Sequence, residues 1–362
     1  MGIRQLSERT TDRAAQHDQE LKELLERRRT QIKVVGCGGA GNNTLTRLMQ
    51  VGIAGAETIA VNTDAQDLLY TDADKKVLIG RELTAGLGAG ADPQMGMEAA
   101  KENKEDIKHA LQGADMVFIT CGLGGGTGTG SAPIVAEIAK KMGALTVAIC
   151  TLPFAMEGRG RMNNAREGLT NLENTVDTLI VIPNEKLLEI VPDVSLQTAF
   201  KVADEILVNA VKGITELVTK PGLVNLDFAD VRAVMSQGGL AMIGMGESDT
   251  DNRAFEAVEK ALNNPLIAVD INGATGALIN VIGGPDITIR EAQQICEAVS
   301  SKLDPEAKII WGAQVEKSLG DTIRAMLIVT GVRSPQISGK EKRWTKEDRK
   351  DIEKILGIEF MS

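Results

Sequence analysis

Residues Cys121 to Pro133 read CGLGGGTGTGSAP, and their types and spacing point first to anion binding. Gly122, Gly124, Gly125, Gly126, Gly128 and Gly130, interleaved with Thr127 and Thr129, would let backbone N–H groups converge on phosphate oxygens with no Cβ in the way. The run Asp115 to Thr120 ahead of the loop reads as a buried strand, and Pro133 falls in the first turn of the apolar helix behind it. The helix dipole adds to the attraction. A Walker loop would close on Gly-Lys-Ser/Thr, whereas this one closes on Gly130 and Ser131 with no lysine, so backbone donors would hold the phosphate. A flexible glycine linker is the bland alternative, and it seldom sits between a buried strand and a helix start.

A second loop, Gly36-Cys37-Gly38-Gly39-Ala40-Gly41-Asn42-Asn43, satisfies GxGxxG directly after one predicted strand and before an apolar helix. Alone it would fit a nicotinamide or flavin dinucleotide fold. A third glycine turn, Gly86-Leu87-Gly88-Ala89-Gly90, changes the balance, because one pyrophosphate needs fewer donors than three such loops offer. A triphosphate with its metal could engage all three. Asn62-Thr63-Asp64 adds groups suited to ribose, a γ-phosphate or a water on Mg²⁺, although Asp64 could equally cap a turn. Glu157 and Arg161 are either an exposed i,i+4 ion pair or a grip on ribose and phosphate.

The remaining acids lie far along the chain. Apolar residues at helical spacing from Ser195 to Thr219 predict a rod of about 24 residues, roughly 36 Å long, packed between two domains. Asp204 interrupts its apolar surface, as a surface acid or as one that meets a base edge. Beyond it come Asn225-Leu226-Asp227-Phe228-Ala229-Asp230. Asp227 is a natural N-cap and Asp230 suits a first helical turn. If the rod starts near the nucleotide, these carboxylates could serve only a nucleotide on a neighbouring molecule.

These groups need a scaffold that brings strand ends together. Strand candidates Ile32 to Val35, Thr58 to Val61, Lys76 to Ile79, Met116 to Thr120, Leu145 to Cys150 and Thr178 to Ile182 alternate with helices, which implies a parallel, helix-covered sheet. Ligands bind such sheets at the carboxyl ends of the strands, where the glycine loops fall. Further strands at Ala241 to Gly246, Gly276 to Ile282, Lys308 to Trp311 and Ala325 to Val329 predict a second α/β unit. The expected divisions are a charged helical arm at 1–30, a nucleotide-binding domain at 31–194, the rod at 195–220, a second domain at 221–332 and a charged linker with tail at 333–362. That tail ends in the apolar knot Ile355 to Met361.

Composition narrows the classes. A net charge of −10 argues against sequence-independent binding to nucleic acid, and two histidines leave little for His-based catalysis or a His-rich metal site. No apolar run approaches the roughly 18 residues of a membrane helix, and no signal peptide is legible, so cytosolic residence is the default expectation. Cys37, Cys121, Cys150 and Cys296 form no CxxC pair and read as structural thiols in a reducing compartment.

GGGTGTG at 124–130 and NLDFAD at 225–230, in this order around a long helix, resemble the tubulin/FtsZ family of GTPases over roughly Gln31 to Val332. The glycine loops and TLPFAMEGR are similar to the archaeal FtsZ branch. The resemblance implies an α/β fold in which a Rossmann-like parallel-sheet GTPase domain is joined by a long central helix to a second α/β domain. It implies GTP or GDP on Gly38, Gly39, Ala40, Gly41, Asn42 and Asn43 and on the 122–130 loop. Thr63, Asp64, Gly88, Ala89 and Gly90 would surround the phosphates, Glu157 and Arg161 the ribose and phosphate side, and Asn184, Phe200 and Asp204 the guanine.

It further implies that Asn225, Asp227 and Asp230 enter the next subunit's site, where the two acids polarise the attacking water. Mg²⁺ would be held through phosphates and water rather than by a protein ligand set, and K⁺ is a further possibility. The implied partners are the chain itself, as a head-to-tail homopolymer with assembly-stimulated hydrolysis, and a membrane-anchoring division adaptor bound by Ile355 to Met361. Location at a cytoplasmic midcell ring beneath the membrane is implied, with neither nucleic-acid binding nor direct membrane insertion. The linker is short, which disfavours a long flexible tether. A dinucleotide-dependent oxidoreductase and a nucleotide-regulated scaffold without significant hydrolysis stay open as alternatives.

Overall fold

The structure is a computed structural model that describes residues 30–185, 196–220, 222–224, 226–236, 238–263 and 271–332, with side chains from 204 onward in the second segment. The expectations for the N-terminal arm before Thr30, Ser195, the Phe200 side chain, Asn225 and everything from Arg333 onward lie outside the described residues.

In chain order, β1 (Ile32–Cys37), α1 (Gly38–Val51), β2 (Ala56–Asn62), α2 (Ala65–Tyr70), β3 (Lys75–Leu78), α3 (Arg81–Thr84), α4 (Pro93–Glu102) and α5 (Lys104–Leu111) build the first half of the nucleotide-binding unit. Then come β4 (Met116–Gly122), α6 (Thr127–Lys141), β5 (Leu145–Leu152), α7 (Arg159–Glu173) and β6 (Thr178–Pro183). The rod α8 (Leu196–Thr219) leads to α9 (Phe228–Met235), β7 (Gly239–Ser248), α10 (Arg253–Leu262), β8 (Gly276–Gly283), α11 (Ile289–Ser300), β9 (Lys308–Val315) and β10 (Ile323–Thr330). Every strand read from the sequence is present. β1 is buried at all six positions, which suits a central parallel strand covered on both faces.

The strands lie in the order β3-β2-β1-β4-β5-β6-β7-β10-β8-β9. Pairs from β3 to β7 are parallel, β10 is antiparallel to β7 and β8, and β9 is parallel to β8. The two α/β units therefore share one sheet, joined where Thr178, Leu179 and Ile180 pair with Gly239, Leu240 and Ala241. The chain leaves β1 toward β2 on one side and resumes at β4 on the other. This reversal is the switch point at which open parallel sheets form a crevice.

α8 packs as the periodicity requires. Leu207, Val211, Ile214 and Leu217 share one apolar cluster with Val34 and Phe118 of the first unit and Ile243, Leu278 and Ile328 of the second. Burying each such side chain contributes about 1.5–3 kcal/mol, so the rod fastens both units along its length. The opposite face is covered by α4, α6, α7, α10 and α11 through residues such as Ala99, Val135, Leu172, Val258 and Ile295. Among the described residues no helix is long and apolar enough to cross a membrane.

Candidate functional site

A cleft of about 580 Å³ opens at the carboxyl ends of β1, β4, β5 and β6. Its floor is Cys37, Gly38, Gly39, Ala40 and Asn43 at the start of α1, facing Gly122, Leu123, Gly125, Gly126, Thr127 and Gly128 ahead of α6. Gly90, Thr151, Pro153, Glu157 and Arg161 form the sides, and Asn184, Asp204 and Leu207 close the far end. Two of the three predicted glycine loops thus meet across the switch point, and the third reaches it through Gly90.

Backbone geometry explains the glycines. Gly38 has φ +69°, and a Cβ there would lie 2.7 Å from the Gly128 nitrogen, so the two loops approach closely only with both side chains missing. A Cβ on Gly125 would meet no protein atom within 4 Å, yet Gly125 lines the cleft, so the bare position leaves room for a ligand. Neither α1 nor α6 has a side-chain cap or an acid in its first turn. The leading N–H groups of both helices, which have no intrahelical acceptor, converge on one cavity with both positive dipole ends. This donor set fits a polyphosphate.

Several expected residues stand one layer behind the lining. The Thr63 and Thr127 hydroxyls touch at 2.6 Å, tying the end of β2 to the start of α6. Thr129 accepts from the Gly124 N–H at 2.9 Å and closes the loop it belongs to, while the Gly130 N–H donates to Gly126. The Asp64 carboxylate accepts from the backbone of Gln66 and Asp67, so the capping role is the one it shows. Gly88 donates to the Thr63 carbonyl, and Ala89 is buried. Gly41 abuts Gly36 and Thr120, where its missing Cβ lets α1 lie on the sheet. The Asn42 amide donates to Asp67, which also accepts from Asn62 at 2.6 Å. Asp67 was not legible from the sequence, since a second acid in a short helix carries no spacing signal. Leu207 was findable, being one turn beyond Asp204.

At the far end the chemistry changes from backbone to side chain. The Asn184 Oδ1 is buried without a partner among the described residues. A donor on a ligand would satisfy it. Burial pushes the Asp204 carboxyl up to about 6 against the lowering effects of the Thr44 hydroxyl and the Arg47 charge. An acceptor amide and a carboxylate that gains from N–H donors suit the edge of guanine, which offers two adjacent donors. Glu157 and Arg161 both border the cleft and are joined at 2.7 Å, and Glu157 also accepts from the Phe154 N–H. The ion-pair reading is thus realised at a position that also faces a ligand.

Burial pushes the Cys37 and Cys150 thiols up to about 12, and Cys121, paired with both across the sheet, well above the usual range. These are packed, unreactive thiols.

Asp227 and Asp230 do not line this cleft. Asp227 caps α9 and accepts from the Asp230 N–H at 2.8 Å. The Arg232 guanidinium donates to the carbonyls of Asp115 and Gly143, which precede β4 and β5. Thr219 likewise meets Gly55, just ahead of β2. The acids therefore sit at the amino ends of the strands and the cleft at the carboxyl ends. The 15 steps of α8 from Asp204 to Thr219 alone span about 22 Å.

Residues 31–192 match the family model for the GTPase domain of the Tubulin/FtsZ family, and residues 239–333 match the C-terminal domain of the FtsZ family. Cell division protein FtsZ 1 of Methanocaldococcus jannaschii is 65% identical over 317 residues, covering 88% of this chain and 87% of the relative. Cell division protein FtsZ 1 of Thermococcus kodakarensis is 63% identical over 338 residues, covering 92% and 90%. An empty FtsZ dimer from M. jannaschii superposes with a TM-score of 0.82 at 64% identity, over 87% of this chain and 92% of that one. GDP-bound CetZ1 from Haloferax volcanii shares the fold at a TM-score of 0.75 and 23% identity, over 90% and 100%. Both halves of the sheet and all of the cleft lining except Asp204 and Leu207 thus fall within matched domains, which sets aside the oxidoreductase alternative, and the chain belongs to the FtsZ family of polymerising cell-division GTPases.

Proposed function

We propose that one hydrolytic site is completed by two copies of the chain, the cleft of one holding GTP and the Asp227–Asp230 turn of the next approaching the γ-phosphate. The observation that carries this reading is the placement of donors and acids at opposite ends of the strands. A molecule whose top and bottom are complementary makes heterologous contacts, and these extend into filaments unless their rotation closes a ring. Residues 31–194 bind the nucleotide in this reading, 195–220 form the strut, and 221–332 carry the acids and the lower contact.

The chain's own groups divide the work. Backbone N–H groups of Gly38 to Asn43 and Gly125 to Gly128 hold the phosphates, Glu157 and Arg161 border the ribose, and Asn184 and Asp204 read the base. Asp227 and Asp230 of the neighbour orient and deprotonate the attacking water, with Asn225 beside them. Mg²⁺, when bound, would offset phosphate charge through phosphates and water, and K⁺ would add to the same end. Loss of the γ-phosphate then loosens the contact that caused it. The filaments form a division ring at midcell in the cytoplasm, and Ile355 to Met361 recruits a membrane-anchoring adaptor.

The test is phosphate release from GTP and Mg²⁺ across protein concentrations, recorded with light scattering. Specific activity should rise above a threshold concentration together with scattering. Activity constant per molecule from the lowest concentration would mean a self-contained site.

A further inference from the structure

The helix that cradles phosphate also touches the carboxylate at the other end of the cleft. Thr44 lies on α1, six positions after Gly38, and is 1% exposed. Its Oγ1 is 3.2 Å from Asp204 Oδ1 on α8 and 3.1 Å from the carbonyl of Ala40. Ala40 and Asp204 both line the cleft. A hydroxyl has one proton, so Thr44 can donate to only one of these acceptors at a time.

We infer that Thr44 is a positioning residue for nucleotide selection, holding the Asp204 carboxylate in the orientation that reads the base. The inference rests on the reading of Asp204 as the base-facing acid and adds what aims it. When Asp204 is ionised, the charge-assisted bond draws the Thr44 proton and fixes Oδ1, leaving Oδ2 for the ligand. When Asp204 is protonated, it donates to Thr44, whose own proton turns to the Ala40 carbonyl. One hydroxyl thus couples the charge on the base-reading acid to the first turn of the phosphate cradle.

The charged groups around Asp204 are Arg47 on α1, its ion-pair partner Glu205 on α8 at 2.8 Å, and across the cleft Glu157 and Arg161. Arg47 pairs with Glu205 through Nη2, and among the described residues Thr44 is the group that bonds the Asp204 carboxylate directly.

The experiment measures equilibrium binding of GTP and ITP by the full chain between pH 5 and 8, for wild type, Thr44→Val, Thr44→Ser and Asp204→Ala. ITP lacks the exocyclic amine and offers the carboxylate one donor fewer. Thr44→Val should weaken GTP about tenfold and ITP less, narrowing the ratio between them, and should move the pH midpoint for GTP upward. Thr44→Ser should restore both. Equal losses for GTP and ITP with an unmoved midpoint would make Thr44 a packing residue and overturn the inference. If Asp204→Ala erases the GTP/ITP preference and Thr44→Val leaves it intact, Thr44 alone fails. If Asp204→Ala keeps the preference, the base-facing reading falls and Thr44's role with it. Should the valine variant not fold, Thr44→Ala serves the same comparison.

Discussion

The two ends of the parallel sheet are built from different material. At the carboxyl ends, the cleft floor is glycine-rich backbone seated on buried strands, with Glu157 and Arg161 at its sides. At the amino ends, the proposed reactive groups are the Asp227 and Asp230 carboxylates at the start of a short helix whose inner face is packed through buried Val231, Val234 and Met235 and whose outer end is tied by the Asp227 cap and Arg232. Main-chain donors cannot be rotated away, so binding is written into the fold. Carboxylates on an outlying turn work only when something is brought to them, so in the proposed reading hydrolysis is written into a contact between molecules.

The largest effect should come from separating the two ends. Asp230→Ala should cut GTP turnover by about a hundredfold or more while leaving GTP affinity unchanged, as followed by phosphate release and by nucleotide titration. Mixing it with Gly38→Ala protein should recover part of the turnover, because the intact acids of one would meet the intact cleft of the other. Mixtures that assemble but stay inactive would remove the division of labour. Gly38→Ala by itself should weaken GTP about tenfold or more, since φ +69° and the Gly128 nitrogen 2.7 Å from the added carbon both oppose it. An unchanged affinity would mean that the backbone floor is not what holds the phosphate.

Much of this arrangement was legible before the structure, for a physical reason. Parallel strands buried on both faces must be continuous apolar runs, so β1, β4 and β5 stood out, and glycine loops at their carboxyl ends marked the cleft. The rod was legible because 24 residues of helical periodicity leave no other choice. Other features depended on pairings that no local pattern encodes. The three-residue match of β6 with β7, which merges two sheets into one, involves no special residue type. The Asp67 carboxylate that gathers Asn42 and Asn62 sits in a short helix, and Thr44 reads as one more polar residue on an amphipathic helix. The capping role of Asp64 and its place near the phosphates looked like rival readings of one residue. The structure shows the cap, and with it a turn tying the Asn62-Thr63-Asp64 loop to the third glycine loop.

A smaller effect distinguishes the ends by pH. Asp204 has its carboxyl raised from 3.8 to about 6 by burial, and donors on a bound base favour its ionised form. GTP affinity should therefore fall as pH drops through about 6 and should lose that dependence in Asp204→Asn, as read by binding titration. The sign for folding is opposite: the free protein binds the Asp204 proton more tightly than the unfolded chain does, so this residue's contribution to stability declines as pH rises from about 4 to 6. Nucleotide should offset that decline, and a melting series with and without GDP would show the two curves separating as pH rises from about 4 to 6 and keeping a constant gap above it. Parallel curves would place the base elsewhere in the cleft.

The smallest expected change tests whether the lower end can be loosened alone. Arg232, in the helix next to the acids, contacts the Asp115 and Gly143 carbonyls ahead of β4 and β5 at 3.3 to 3.4 Å and stacks 5.0 Å from the Phe228 ring. These long, solvent-facing bonds contribute about 1 kcal/mol, so Arg232→Ala should lower Tm by about 2 °C. Its larger consequence should be aim: α9 would lose its hold on the feet of β4 and β5, and turnover should drop severalfold at protein concentrations where scattering is unchanged. GTP affinity should not move, because β4 and β5 carry the cradle at their other ends and are fixed along their whole length by neighbours. A fall in affinity would show that the strands transmit strain from one end to the other, and the contrast between a rigid floor and an adjustable foot would have to be given up.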